Sequence, residues 1–332
     1  MSIQTLLRFT AHVQMLPILE SGEETLVGGQ AVMEGVMMRS PHSYCVAVRK
    51  ANGDIVTEQH AQPKASDIYP IFKLPVLRGL GTLGQAMWLG IKALQFSTNV
   101  LLQQEPKSEG AAPAAEKPAE LSPWAMGVTL GFSLLFFLFM YKFVPLVLAT
   151  QLGHAFPALH GRLAINLMDG VIRLGIFLGF LYLLSRMKDI RRTFEYHGAE
   201  HKVVFNYESG QPVTVENAQK FVTFHPRCGT SFLIVVMLVA LLVYSVLPFD
   251  GFLAKFLARI ALLPLIAGMS YELIRFAAKY RQGLMATLTT PGLWLQRVTT
   301  KPPSDDQTAI AIRALDGAFE LEKAQGGELV IA

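Results

Sequence analysis

Charged residues are scarce in this chain of 332 residues: only 16% are Asp, Glu, Lys or Arg, where a soluble globular protein carries about 25%. With 52% hydrophobic residues and a mean hydropathy of +0.37, that shortage argues against an ordinary soluble enzyme. Cysteine is nearly absent too. Cys45 and Cys228 lie far apart in different segments, which excludes a disulfide framework and fits a reducing compartment. The 29 Lys and Arg never form a long run and the net charge is only +4, so nucleic acid is not expected as a partner. An anionic lipid surface suits this balance better. The first twenty residues are interrupted by Arg8, His12 and Pro17 and lack a small-residue cleavage site, so no secretory signal peptide is read there.

What is abundant is long apolar sequence. Four stretches, 124–149, 164–186, 229–249 and 256–278, approach the about 20 residues needed to cross about 30 Å of hydrocarbon. The second carries Asp169 and Arg173 and the fourth Arg259, Glu272 and Arg275, charges expected to face protein partners and not lipid. Lys and Arg concentrate between the second and third stretches and beyond the fourth. By the positive-inside rule, both termini and residues 187–228 are cytoplasmic. The expected fold is an α-helical polytopic membrane protein with about four transmembrane helices, a small N-terminal β-containing cytoplasmic part and a cytoplasmic helical loop bearing a metal motif.

The chain divides accordingly. Residues 1–73 read as β, because 44–48 and 54–57 flank Asn52-Gly53, a dipeptide suited to a tight hairpin turn. Residues 74–103 look helical but contain Arg78, Lys92 and four glycines, which favours an interfacial or re-entrant helix over a span. Residues 104–123 form a Pro/Ala-rich linker. Then follow a transmembrane pair over 124–186, the loop 187–228, a second pair over 229–278 and a cytoplasmic tail over 279–332. In the tail Ser304 stands three residues before Gln307, a capping-box spacing that announces a short helix. No internal repeat is visible.

The most specific motif lies in the 187–228 loop. Glu195-Tyr196-His197-Gly198-Ala199-Glu200-His201-Lys202 contains H-x-x-E-H, the string that marks inverzincins. On a helix, imidazoles four residues apart sit about 6 Å from one another at Cβ and can share an ion at bond lengths near 2.1 Å. On a strand they would be about 13 Å apart, so the motif requires a helix. Glu200 is the expected general base for a water activated by the ion. A third ligand has two sources: Glu208, seven residues after His201 on the same helical face, or the pair His225 and Cys228 at i and i+3. Four ligands from His197, His201, His225 and Cys228 would make a closed structural site, three an open catalytic one. Zinc suits imidazole and thiolate, though iron, nickel or cobalt also fit. Cys228 as a nucleophile activated by His225 is a weaker alternative.

Two other constellations stand out. In Gly28-Gly29-Gln30-Ala31-Val32-Met33-Glu34-Gly35, followed by Arg39, paired glycines permit close backbone approach, and Glu34 and Arg39 are candidates for substrate contact. A turn or bulge in the small sheet explains the glycines equally well. Asp169 and Arg173 form an i,i+4 pair expected to satisfy each other, Glu272 with Arg275 lies about one to two turns from the cytoplasmic end of the fourth stretch, and the expected role of these intramembrane charges is to hold helices together.

Several of these stretches together, GGQAVMEGVMMRSP, LPVLRG, EYHGAEHK, FHPRCGTSFL and SYELIR, resemble the YqhQ-like family of bacterial membrane proteins, an uncharacterised family described as predicted metal-dependent enzymes. The similarity runs from about Gly28 to about Gln307, interrupted by the linker. It implies a multi-span protein of the bacterial cytoplasmic membrane with a metal site, and carries over Glu34, Arg39, His197, Glu200, His201, Glu208, His225 and Cys228. At Thr299–Asp306 the acidic residue expected before the proline is missing, and that stretch receives no catalytic role.

Two functional readings compete. The first is a metal-dependent hydrolase with a cytoplasmic-face site acting on a membrane-associated substrate, using Glu200. The second is a noncatalytic membrane scaffold or assembly factor stapled by a four-ligand zinc, which has no use for Glu200. A transporter built on Asp169 and Glu272 is a distant third.

Overall fold

The computed structural model describes residues 27–63, 65–102, 123–159, 161–226, 228–249, 251–279 and 284–326. The N-terminal twenty residues and nearly all of the expected 104–123 linker lie outside them.

The N-terminal β expectation is met by an antiparallel meander: β1 (Gly28–Val32), β2 (Gly35–Arg39), β3 (Ser43–Arg49) and β4 (Ile55–Ala61), in the order β1-β2-β3-β4. Gly53 takes the positive φ of +92° that the β3–β4 turn demands, and Arg49 pairs with Ile55 across it. The two-residue β1–β2 turn instead puts Glu34 at a φ of 53°.

Both faces of this sheet are covered, so β2 and β3 are buried almost throughout. Val36, Met38 and Ala47 pack on one side against α6 (Lys188–Glu208) and α12 (Asp305–Ala324). Met37, Val46 and Val48 pack on the other against Leu89 and Ala93 of α2 (Leu77–Leu102), which follows the single helical turn α1 (Ala65–Ile68). The tail is therefore core. Its capping box forms as the spacing predicts, with Ser304 Oγ accepting from Gln307 N–H and Gln307 Oε1 from Ser304 N–H, but the helix behind it runs 20 residues.

Among the described residues, two helical stretches are long and apolar enough to cross a membrane: Gly127–Ala155 and Arg162–Leu184 (α5). The first joins α3 (Pro123–Leu138) to α4 (Val144–Ala155) through a π-helical turn at Phe139–Phe143, just where Pro145 lacks the N–H of a regular ladder. A third exists if α9 (Phe252–Ala261) and α10 (Leu263–Lys279), bent by 48°, count as one. Pro264 removes a ladder bond at that bend. The expected third span shortens to the 17-residue α8 (Gly229–Ser245), with a rise of about 26 Å. α2 is not among the span candidates. Its outer side displays Met87, Trp88 and Leu94, with Lys92 over the Trp88 ring.

The charges of α5 turn inward, as expected for Asp169 and Arg173. Asp169 bonds Arg173 one turn on, and its other oxygen lies 2.8 Å from Arg259 of α9. Glu272 is bound by Arg78 and by the Val76 N–H, which ties α10 to the start of α2, while Arg275 is exposed. The guanidinium of Arg78 offers Glu272 a two-pronged contact between helices.

Candidate metal centre and its cavity

α6 carries the motif. Its first half is largely exposed, while from Tyr196 to Tyr207 nearly every residue is buried, because the sheet, α12 and the segments around Thr223 and Thr299 enclose it. Lys202 is accommodated there by donating to the carbonyls of Gln219 and Phe221, at and just beyond the end of α7 (Val215–Gln219).

On this helix the rings of His197 and His201 lie 4.4 Å apart. His197 Nδ1 is 2.8 Å from the Thr299 carbonyl and His201 Nδ1 is 2.5 Å from the Thr223 carbonyl. A carbonyl only accepts, so each Nδ1 is the protonated nitrogen and each Nε2 keeps its lone pair. His201 Nε2 is buried with no hydrogen-bond partner among the described residues. Burial lowers the His201 pKa, which keeps the imidazole neutral.

The third member is Cys228, the N-cap residue of α8. Its Sγ lies 3.3 Å from His197 Nε2 and accepts from the Thr230 N–H. Burial alone would push the thiol up, but the His201 imidazole and the Thr230 donors outweigh it and hold it below the usual range. The ligand atoms of His197, His201 and Cys228 all lie within 4.8 Å of one another. Two imidazoles and a thiolate-prone sulfur form a donor set for a borderline-soft cation such as zinc, with carbonyls holding the imidazoles as they do around bound metals.

The other two ligand candidates are not in this cluster. Glu208 is on the same helical face as His201, yet seven residues advance a helix by about 10 Å. It meets His225 instead, at 3.3 Å. His225 stays outside the cluster that Cys228 joins. His225 packs on Phe205, its ring centre 5.6 Å from His201, and burial pushes its pKa down to about 3.

Glu200 joins the cluster at the wall of a cavity of about 470 Å3, which the cluster residues, Arg39 and the glycine segment of β1 also line. Burial pushes its carboxyl up to about 7, although His197, the Gly29 N–H and Arg39 all favour the charged form. Gly29 is needed here: a Cβ on it would come within 2.9 Å of Glu200 Cγ and 2.6 Å of the Met37 carbonyl. Glu34 does not line the cavity. It holds Arg192 through both oxygens and accepts from Tyr196 Oη, anchoring the β1–β2 turn to α6.

Sequence reading missed the positioning residues. Gln296 of α11 (Leu284–Thr299) accepts from the His225 N–H and donates to its carbonyl at 2.7 and 2.8 Å, and to Ser231 Oγ at 2.9 Å. A lone amide inside Trp294-Leu295-Gln296 was its one signal. The Thr223 and Thr299 carbonyls had none, being backbone. Thr299, in the stretch read as having no catalytic role, holds His197 through its carbonyl.

The family described as "Protein of unknown function (DUF1385)" matches residues 74–321, a stretch that contains the whole His/Cys cluster. The chain belongs to this family. It is also 36% identical over 298 residues to the "Uncharacterized protein YqhQ" of Bacillus subtilis (strain 168), across 89% of this chain and 92% of that protein. The YqhQ-like resemblance in the motifs thus holds over most of the chain. No solved structure matches.

Proposed function

We propose that this protein is a metal-dependent hydrolase of the bacterial cytoplasmic membrane, acting on a membrane-associated substrate from the cytoplasmic side. The observation that carries the reading is the convergence of three ligand-type side chains, His197, His201 and Cys228, with Glu200 on one cavity wall. His197, His201 and Cys228 would hold a zinc ion, which would supply Lewis acidity. Glu200, raised toward neutrality by burial, takes a proton from the attacking water and returns it to the leaving group. The carbonyls of Thr299 and Thr223 keep both imidazoles in the ligating tautomer. In this reading α8 completes four spans, and the positive-inside bias puts both termini and the motif loop in the cytoplasm.

The competing reading, a scaffold with a structural zinc, finds support in His225, whose ring lies close enough to His201 to suggest a fourth ligand. Elemental analysis of untagged, detergent-purified protein separates the two. About one zinc per chain is expected, lost in His201→Ala and Cys228→Ala but kept in His225→Ala and Glu200→Gln. Loss in His225→Ala equal to that in Cys228→Ala favours the closed structural site. Absence of metal from folded protein that also takes none up overturns both.

A further inference from the structure

We propose that the cavity binds an amphiphile with an anionic, phosphate-like head, and that Arg39 is the residue that recognises it. The inference rests on the hydrolase reading for the nearby chemistry, and on separate observations for the ligand.

Arg39 closes β2, and its side chain leaves the sheet on the same face as Met37, into the cavity. Arg49, Arg78, Arg173, Arg192, Arg259 and Arg313 each form an ion pair, whereas Arg39 is in none found among the described residues. The acid that faces it, Glu200, is already held by the Gly29 N–H. A half-enclosed guanidinium without a counter-ion is costly unless a ligand supplies one. Its planar fork matches the oxygens of a phosphate group.

The rest of the cavity specifies the other end of the ligand. Beyond the cluster, and apart from Gln30, Thr193, Thr230 and His225, its walls are apolar, with Val27, Ala31, Met37, Ala86, Leu89 and Phe194 among them. Two of these, Ala86 and Leu89, come from α2, the helix whose outer side shows Met87 and Trp88. The wall is thus one side of the element best suited to lie at the bilayer surface. At about 470 Å3 the space holds a head group and several carbons of a chain.

The test uses purified full-length protein in detergent and three probes: inorganic phosphate, hexyl phosphate and hexyltrimethylammonium. Hexyl phosphate is expected to bind at least tenfold more tightly than inorganic phosphate, and the cationic probe not to compete. Arg39→Gln should weaken hexyl phosphate about 10–100-fold with metal content and melting temperature unchanged, and Arg39→Lys by less. Equal binding by Arg39→Gln and the parent, or a cationic probe as tight as hexyl phosphate, overturns the proposal. Inorganic phosphate as tight as hexyl phosphate overturns its amphiphile half and identifies the ligand as free phosphate. If Arg39→Gln does not fold, protection of Arg39 from phenylglyoxal by hexyl phosphate in the parent protein decides the matter, and no protection rejects it. Repeating the titration after chelation separates the two readings. Arg39-dependent binding that persists in protein shown to hold no metal leaves this inference standing when the hydrolase reading falls. Loss of Arg39 dependence in metal-replete protein removes this inference alone.

Discussion

The carbonyl oxygen of Lys301 occupies the space where a side chain at position 198 would begin: a Cβ on Gly198 would lie 2.0 Å from it. The Lys301 N–H meanwhile donates to the Phe194 carbonyl at 2.9 Å, so the chain leaving α11 crosses α6 in the middle of the H-x-x-E-H motif. The same crossing brings the Thr299 carbonyl to His197.

Gly198→Ala should therefore displace that crossing. A rigid backbone atom cannot yield as a side-chain tip can, and we expect a loss of about 3 kcal/mol with weakened metal binding. Thermal unfolding and metal content of the purified variant measure both. A variant with parental melting temperature and parental metal would contradict the account.

Gln296→Leu keeps the volume but removes three hydrogen bonds, including both to the His225 backbone. With the buried His225 N–H left unsatisfied, a loss of about 2–4 kcal/mol is expected. Because that turn also presents Cys228, metal affinity should fall although Gln296 is no ligand. A chelator competition assay reads this second effect.

Asp169 is the shared partner of Arg173 and Arg259. Asp169→Leu leaves two buried guanidinium groups without it, at a cost of about 3–5 kcal/mol. Membrane yield and resistance to detergent unfolding should drop sharply, while soluble-side metal binding survives in whatever protein folds.

Glu322 joins the end of α12 to the β2–β3 turn, accepting from Ser40 Oγ at 2.6 Å and from the His42 N–H at 2.9 Å. Burial opposes ionisation, but these donors and Ser43 outweigh it and hold the carboxyl below its usual range. A carboxyl with a depressed folded pKa adds stability above its unfolded value of about 4.3 and loses it as the pH falls through the folded value. Glu322→Gln should therefore be about 2 kcal/mol less stable than the parent near pH 7, with the gap shrinking below about pH 4. Unfolding curves at both pH values test the sign. A gap that widens in acid would refute it.

Local signals were legible before any fold was known. The capping box at Ser304 and Gln307, the Gly53 turn and the helical pairing of His197 with His201 depend on residues within a few positions of one another, where backbone geometry alone dictates who meets whom. The apolar runs likewise announced helices long and apolar enough to cross a membrane. Span number was less legible, because the third stretch forms only the 17-residue α8 and Pro264 bends the fourth into α9 and α10.

The choice among ligands belonged to the tertiary structure. From sequence, Glu208, His225 and Cys228 were equal contenders for a third position beside His197 and His201. Cys228 reaches the cluster because α8 starts there, held by Gln296 from α11, while Glu208 and His225 take each other. Glu34 went to Arg192, Glu272 to Arg78 and the tail into the core for the same reason. Chemistry-bearing residue types can be read from a sequence, but which of them share a space is decided by packing between segments up to hundreds of residues apart, where a partner is set by which groups burial leaves within reach.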